Sequence, residues 1–187
     1  MSQTTLDIKE PGLNVLPPGV ERHVVNAGGL TGLQIFPDDE IEIINDEGNQ
    51  ICEIICFNKD GKSELAIINQ KENTKKSFIK EILKKKDESS LITNLQLKKR
   101  NLDINKSQSS ILFDDQTPSG EKIKIKSKDK CYVIFSAPQN DMLVSEQNPS
   151  SDITIFIKRY KIVNDKELSI IPDPVFEPNY EKNIDRQ

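Results

Sequence analysis

The sequence predicts a mainly β protein: an antiparallel β-sandwich or barrel of about ten strands with one surface helix. Two observations support this prediction. Short apolar runs, some of them alternating with polar residues, recur between turns rich in glycine, proline, asparagine and aspartate, as is typical of an all-β domain. Only one segment has helical periodicity, whereas a parallel sheet needs a crossover connection, usually a helix, between neighbouring strands.

The clearest strand pattern is at residues 40–45, where glutamate and isoleucine alternate as in a half-buried strand. Residues 50–57 are almost continuously apolar and predict a strand buried on both faces. Residues 58–61 end in Asp-Gly, which predicts a hairpin with a return strand over residues 64–68. The other predicted strands cover residues 21–26, 33–36, 95–97, 111–113, 121–126, 131–137, 142–145, 153–162 and 168–171.

The one predicted helix covers residues 74–86. Its apolar residues Phe78, Ile79, Ile82 and Leu83 form a narrow stripe at helical spacing, and lysines follow where a helix C-terminus favours cations. Residues 87–110 are mostly polar and predict a long loop. We therefore expect a lead-in over residues 1–19, a single β domain over residues 20–171, and a proline-rich exit or linker over residues 172–187.

The net charge of −4 is unevenly distributed, because residues 71–130 carry a net charge of +7. A basic segment can bind nucleic acid, and this is one alternative function. Acidic residues interrupt the lysines, however, and no aromatic residue lies between Phe78 and Phe113 to stack on bases, so we do not expect nucleic acid as a partner. No apolar run approaches a membrane span and no secretory signal begins the chain, so we expect no membrane partner and a cytoplasmic protein. The excess of isoleucine, and of lysine over arginine, is typical of A+T-rich coding and indicates a bacterial protein.

Few side chains could carry catalysis. His23 is the only histidine, so any relay that needs a histidine base must use it. Paired acids occur at residues 38–39, 40 and 42, and 114–115, and we interpret them as solvated turns. A small-molecule enzyme of urea or one-carbon metabolism is the second alternative. It requires at least two of His23, Cys52 and Asp115 to lie within hydrogen-bond reach of each other.

The three cysteines, Cys52, Cys56 and Cys131, do not form a metal motif. Two residues four apart on a strand lie about 13 Å from each other, so Cys52 and Cys56 cannot share a zinc ion. We interpret all three as buried, reduced thiols. The glycines of residues 28–32 precede a predicted strand and lack a phosphate-binding motif, so they predict a turn.

Two stretches resemble the urea carboxylase-associated family, whose members occur with glycine-cleavage T-protein-like aminomethyltransferases. Residues 35–58, "IFPDDEIEIINDEGNQICEIICFN", are similar to its opening strands, and residues 132–162 are similar to its final strands. The family's metal-site cysteine would fall near residues 145–149, and a family histidine near residues 114–120. Neither residue type is present there.

The resemblance implies a β scaffold that has lost its metal site. The sequence therefore predicts a non-catalytic interaction or ligand-binding β module, attached to or partnered with a folate-dependent aminomethyltransferase-like protein. With this prediction we expect no catalytic residue, no metal ligand and no cofactor in this chain, and the cofactor-binding residues stay unknown.

Overall fold

A computed structural model describes residues 16–139 and 149–161. Eight strands in this part of the chain form two four-stranded antiparallel sheets, ordered β1-β8-β3-β6 (sheet 1) and β2-β7-β4-β5 (sheet 2). Neither sheet closes, so the mainly β prediction is confirmed as a sandwich. The strands are β1 Val20–Val25, β2 Leu30–Ile35, β3 Glu40–Asn45, β4 Cys52–Asn58, β5 Ser109–Phe113, β6 Glu121–Lys126, β7 Cys131–Ser136 and β8 Ile153–Lys158.

The alternation predicted for residues 40–45 sets the register of sheet 1. Ile41 pairs with Ile125 and Glu42 pairs with Lys124, so one face of β3 and β6 is apolar and the other is charged. The apolar face packs in the core between the two sheets, where Ile41, Ile43 and Ile125 are all buried. This part of the prediction is confirmed.

Strand β4 is buried along its length, as the apolar run predicted, but the return strand over residues 64–68 is wrong. Strand β4 already has β7 on one side and β5 on the other, so no edge is free for a third partner. Gly61 does make the turn, with φ +78°. After a single bridge from Ser63 to Phe57, residues Leu65–Ile68 form a 3-10 helix whose apolar side chains enter the core.

Two helices cover the outer face of sheet 2. Helix α1, Phe78–Ile82, lies inside the predicted segment 74–86 but is shorter, and Ser77 caps it. Helix α2, Glu88–Lys99, is the longer one and begins at the cap residue Asp87. It occupies the segment that was predicted to be a loop with a short strand at residues 95–97, so that prediction is wrong. A second 3-10 helix covers Ile104–Lys106.

A second apolar cluster lies between sheet 2 and these helices, where Ile55 and Phe57 of β4 contact Ile79 of α1 and Leu97 of α2. Among the described residues, no helix has both the length and the apolar character to cross a membrane. The strands predicted at 142–145 and 168–171, the exit over 172–187 and most of the lead-in lie outside the described residues. The predicted division of the chain into domains stays a prediction.

Candidate functional site

The turn between β1 and β2 forms one wall of a cavity. The N–H of Gly28 donates to the carbonyl of Ala137 at 2.6 Å, and the N–H of Gly29 donates to that of Asn26 at 2.8 Å. Gly28 has φ +77°, and a Cβ there would lie 3.0 Å from Cγ of Gln139. A side chain at this position would be strained and crowded, so the backbone itself faces the cavity.

The first turn of α2 faces this glycine turn. Asp87 accepts hydrogen bonds from the N–H of Ser90 at 2.9 Å and the hydroxyl of Ser89 at 3.0 Å. The Ser90 N–H is the main reason why the pKa of Asp87 is lowered, so this carboxylate keeps its charge. A Cβ on Gly29 would lie 3.6 Å from Oγ of Ser89. A helix N-terminus therefore does meet the glycines, which the sequence did not predict.

We call the cavity between these two elements the glycine pocket. Its volume is about 840 Å³. Its walls combine bare backbone, one ammonium group, carboxylates and neutral donors. The lining includes Gly28, Gly29, Thr31, Lys85, Asp87 and Gln139. Such a mixture suits a small polar ligand that has both a positive and a negative part.

A second cleft, of about 700 Å³, lies on the outer face of sheet 1. Its charges come from opposed strands and partly satisfy one another, since Lys124 lies 3.7 Å from Glu42. The glycine pocket is therefore the better candidate for a ligand site.

His23 lies at the edge of sheet 1, beside an ion-pair cluster. Its Nε2 is 3.0 Å from Oε2 of Glu21, and Glu21 also accepts two hydrogen bonds from Arg159. The hydrogen bond from His23 is the largest cause that lowers the pKa of Glu21 to about 2, and Arg159 adds to it against the opposing effect of burial. His23 is thus a hydrogen-bonded strand histidine, as the sequence predicted.

Arg159 extends this cluster to Asp39, which is 1% exposed. Its Nη1 donates to Oδ2 of Asp39 at 2.7 Å, and the N–H groups of Phe36 and Tyr160 also donate to this carboxylate. The prediction that the 38–39 pair is a solvated turn is therefore wrong for Asp39. Arginine and N–H donors stabilise the buried charge, and the cluster fixes the end of β8.

The other paired acids lie on the surface. Glu42 contacts Lys124, and Asp114 and Asp115 are exposed in the turn after β5. Among the described residues, no hydrogen bond or ion pair joins His23, Cys52 and Asp115, and no group of three His, Cys, Asp or Glu side chains is close enough to hold a metal ion. The structure does not bring together the residues that the enzyme alternative requires.

The three cysteines are buried and unpaired. Burial raises the pKa of Cys52. The neighbouring Cys131 thiol, together with burial, raises the pKa of Cys56. These thiols pack in the core between the sheets, as predicted.

Glu53 is a buried acid that the sequence analysis did not single out. It is 0% exposed on β4, and its Oε2 accepts a hydrogen bond from the N–H of Ile79 at 2.8 Å. Its Oε1 accepts no hydrogen bond, and the buried hydroxyl of Ser136 has no hydrogen-bond partner either. Glu53 and Ser136 are nevertheless paired across β4 and β7. Burial raises the pKa of Glu53, because the charged form is poorly solvated there. A single charge inside the apolar run 50–57 was the available signal.

The basic segment is residues 71–130, and the expectation that nucleic acid is not its partner stays a prediction. Its only arginine, Arg100, lies over the ring of Tyr132 at 4.4 Å and donates to the side chain of Gln96. Both contacts hold the guanidinium group against side chains of its own domain.

No protein-family model matches the chain. Trimethylamine-oxide aldolase of Ruegeria pomeroyi is 30% identical to it over 171 residues, which make up 91% of this chain and 22% of that enzyme. The chain thus spans about a fifth of the length of the curated relative that it matches. This similarity to an enzyme overturns the prediction of a non-catalytic module. The resemblance to the urea carboxylase-associated family is not tested by these comparisons and stays a prediction.

Proposed function

We propose that this chain is a domain of an aldolase-type enzyme that acts on trimethylamine oxide or a closely related amine oxide. The observation that carries the proposal is the 30% identity to trimethylamine-oxide aldolase, which extends over 91% of the chain. The aligned region makes up 22% of that enzyme, so the activity of the whole enzyme is part of this proposal.

The chemistry of the proposed substrate sets what the protein must provide. When an aldehyde is released from trimethylamine oxide, a methyl carbon loses a proton, the N–O bond breaks, and a carbon–nitrogen double bond forms. Water then adds to that carbon and the C–N bond breaks, which leaves dimethylamine and formaldehyde. The carbon is oxidised as the nitrogen is reduced, so no outside oxidant is needed. A donor to the departing oxygen and a base for the methyl proton assist this sequence.

The glycine pocket provides groups that suit an amine oxide. The ligand carries a negative oxygen and a positive nitrogen, and the pocket walls include the ammonium of Lys85 and the carboxylate of Asp87. Lys85 is close enough to Asp87 to help lower its pKa. Bare backbone at Gly28 and Gly29 leaves room for the methyl groups. We therefore place the bound amine oxide in this pocket.

Titration of the chain with trimethylamine oxide tests this placement. We expect the amide resonances of Gly28, Gly29 and Gly32 to shift with a single saturation curve, and Lys85→Gln to weaken binding at least about tenfold. Lys84→Gln is the matched control, because Lys84 is exposed and does not line the pocket. An absence of shifts at these glycines in the wild-type chain would exclude the pocket.

Turnover by the chain is measured separately, as formaldehyde and dimethylamine formed from trimethylamine oxide. Production of both in equal amounts supports the aldolase-type function directly. If the protein that contains this chain produced neither from any amine oxide, the proposed function would be wrong.

We also propose an attached or partner aminomethyltransferase-like domain, which the resemblance to the urea carboxylase-associated family supports. Copurification of the chain with such a protein from its own cells tests this. A cytoplasmic location is proposed as well, and the three unpaired buried thiols support it. Fractionation of the cells tests the location.

A further inference from the structure

Three of the four large apolar residues of helix α2 face away from its own domain. It buries Ser90, Thr93 and Leu97 against sheet 2. Leu91, Ile92 and Leu95 are instead 54%, 52% and 65% exposed. Surface helices of globular proteins normally turn their apolar side to the core, and clustered exposed apolar side chains mark interaction sites.

A charged residue lies at each end of this exposed apolar face. With 3.6 residues per turn, Glu88, Ile92, Leu95 and Lys99 lie along one line of the helix, opposite the buried residues, and Leu91 lies beside it. Glu88 and Lys99 are both exposed. We call these five residues the α2 stripe: it is acidic at its N-terminal end, apolar in its middle and basic at its C-terminal end.

We propose that the α2 stripe is a self-association surface through which two copies of this chain pair their α2 helices antiparallel about a two-fold axis. In that arrangement Ile92 of one copy lies opposite Leu95 of the other, and the same register places Glu88 opposite Lys99. A two-fold interface requires a patch that complements itself, and the order acid, apolar, base along one helix has this property.

The reversed order of charge favours a second copy over an unrelated partner. A second copy in the reversed orientation supplies a base opposite the acid and an acid opposite the base. A partner of different sequence would have to carry its own charges in the matching order. Twelve residues give a helix of about 18 Å, so the interface is small, and we expect a dissociation constant in the micromolar range. Ile92 also lines the glycine pocket, so the two pockets would lie beside the interface.

Sedimentation velocity of the full chain over about 5–500 μM tests the proposal. We expect the mass to rise from 21.2 kDa towards twice that value as concentration increases. Glu88→Lys and Lys99→Glu should each weaken association at least about tenfold, because each places two like-charged pairs across the interface. The double variant that carries both substitutions should restore association to within about threefold of wild type.

Lys98→Glu is the matched control. It places the same charge change in the same helical turn, about 100° around the helix from Lys99. The proposed register puts the uncharged Ser89 opposite it, so we expect association to change less than threefold. Circular dichroism and urea unfolding of every variant separate loss of association from loss of folding. A chain that stays monomeric at 500 μM overturns the proposal, and so does a double variant that associates no better than the single ones.

Discussion

Arg159 holds the carboxylate of Glu21 with two hydrogen bonds, from Nε to Oε1 at 2.8 Å and from Nη2 to Oε2 at 2.9 Å. Its third nitrogen, Nη1, donates to Asp39 and to the carbonyl of Gln34. One side chain after β8 therefore connects β1, the end of β2 and the turn before β3. The two-pronged geometry is specific to a guanidinium group.

Replacing Arg159 by alanine should lower the free energy of unfolding by about 3 kcal/mol, because Asp39 would stay buried without its cation. Arg159→Lys should lose less stability than Arg159→Ala, since an ammonium group keeps the charge but cannot make the two parallel hydrogen bonds to Glu21. Urea unfolding at pH 7 measures both. Lys124→Ala is the control, because its pair with Glu42 is exposed and should contribute under about 1 kcal/mol. Equal losses for Arg159→Ala and Lys124→Ala would contradict the role given to the cluster.

Protonation of Glu21 should contribute to the loss of folding stability at low pH. Its pKa is about 2 in the folded chain against an ordinary value of 4.5. The unfolded chain therefore binds this proton first, and the stabilisation present above pH 4.5 is lost as the pH falls towards 2. Because the Glu21 side chain is 39% exposed, we expect the loss to be about 1 kcal/mol.

Urea unfolding of the wild type and of Glu21→Gln at pH 6 and pH 2.5 measures this effect. The wild type should be the more stable protein at pH 6, and the difference between the two should shrink at pH 2.5. If the difference in the free energy of unfolding between wild type and Glu21→Gln were the same at both pH values, Glu21 would not be the group responsible for the loss of stability.

The sequence predicted the sheets better than it predicted the site, for a physical reason. Strand alternation is local, so Glu40–Asn45 reveals its buried face without knowledge of its partners. The contact between Arg159 and Asp39 joins residues 120 positions apart, and no local pattern indicates it. The burial of Asp39 was missed for the same reason.

Helix α2 has no apolar periodicity that would indicate a helix packed on a core. The buried face of α2 includes Ser90 and Thr93, whose hydroxyl-bearing side chains give no apolar periodicity against sheet 2. Leu91, Ile92 and Leu95 point outward instead, and Leu97 alone of its large apolar residues is buried. The cap residue Asp87 was the only local signal for the start of this helix.

Glu53→Gln should make the protein more stable, and increasingly so as the pH rises. The pKa of Glu53 is raised in the folded chain by burial, which outweighs the opposing hydrogen bond from the N–H of Ile79 to Oε2. The unfolded chain therefore loses this proton at lower pH, and the wild type loses stability as the pH rises above about 4.5. Glutamine has the same shape and no charge.

Denaturant midpoints of the wild type and Glu53→Gln at pH 4.5 and pH 8 test this. Glu64→Gln is the control, because it removes an exposed acid and should change the free energy of unfolding by under about 0.5 kcal/mol. If Glu53→Gln were less stable than wild type at pH 8, Glu53 would be stabilised as a carboxylate.

Gly32→Ala should destabilise the protein through a single neighbour, Tyr132. A Cβ on Gly32 would lie 2.0 Å from Oη and 2.7 Å from Cζ of that side chain. Tyr132 is buried, and Arg100 lies over its ring, so the ring has little room to move. Overpacking of this kind costs about 1–3 kcal/mol, and we expect about 2 kcal/mol.

A double-mutant cycle assigns this cost to the ring. Tyr132→Leu removes the clashing atoms, so adding Gly32→Ala in that background should cost under about 0.5 kcal/mol. Gly120→Ala is the matched control: its φ of +77° makes alanine strained, but nothing lies within 4 Å of the added Cβ. Its cost should be the same with Tyr132 or Leu at position 132, because backbone strain does not depend on a distant ring. If the cost of Gly32→Ala were also the same in both backgrounds, the strain would lie in the β2 backbone and the close approach of Tyr132 would not be its cause.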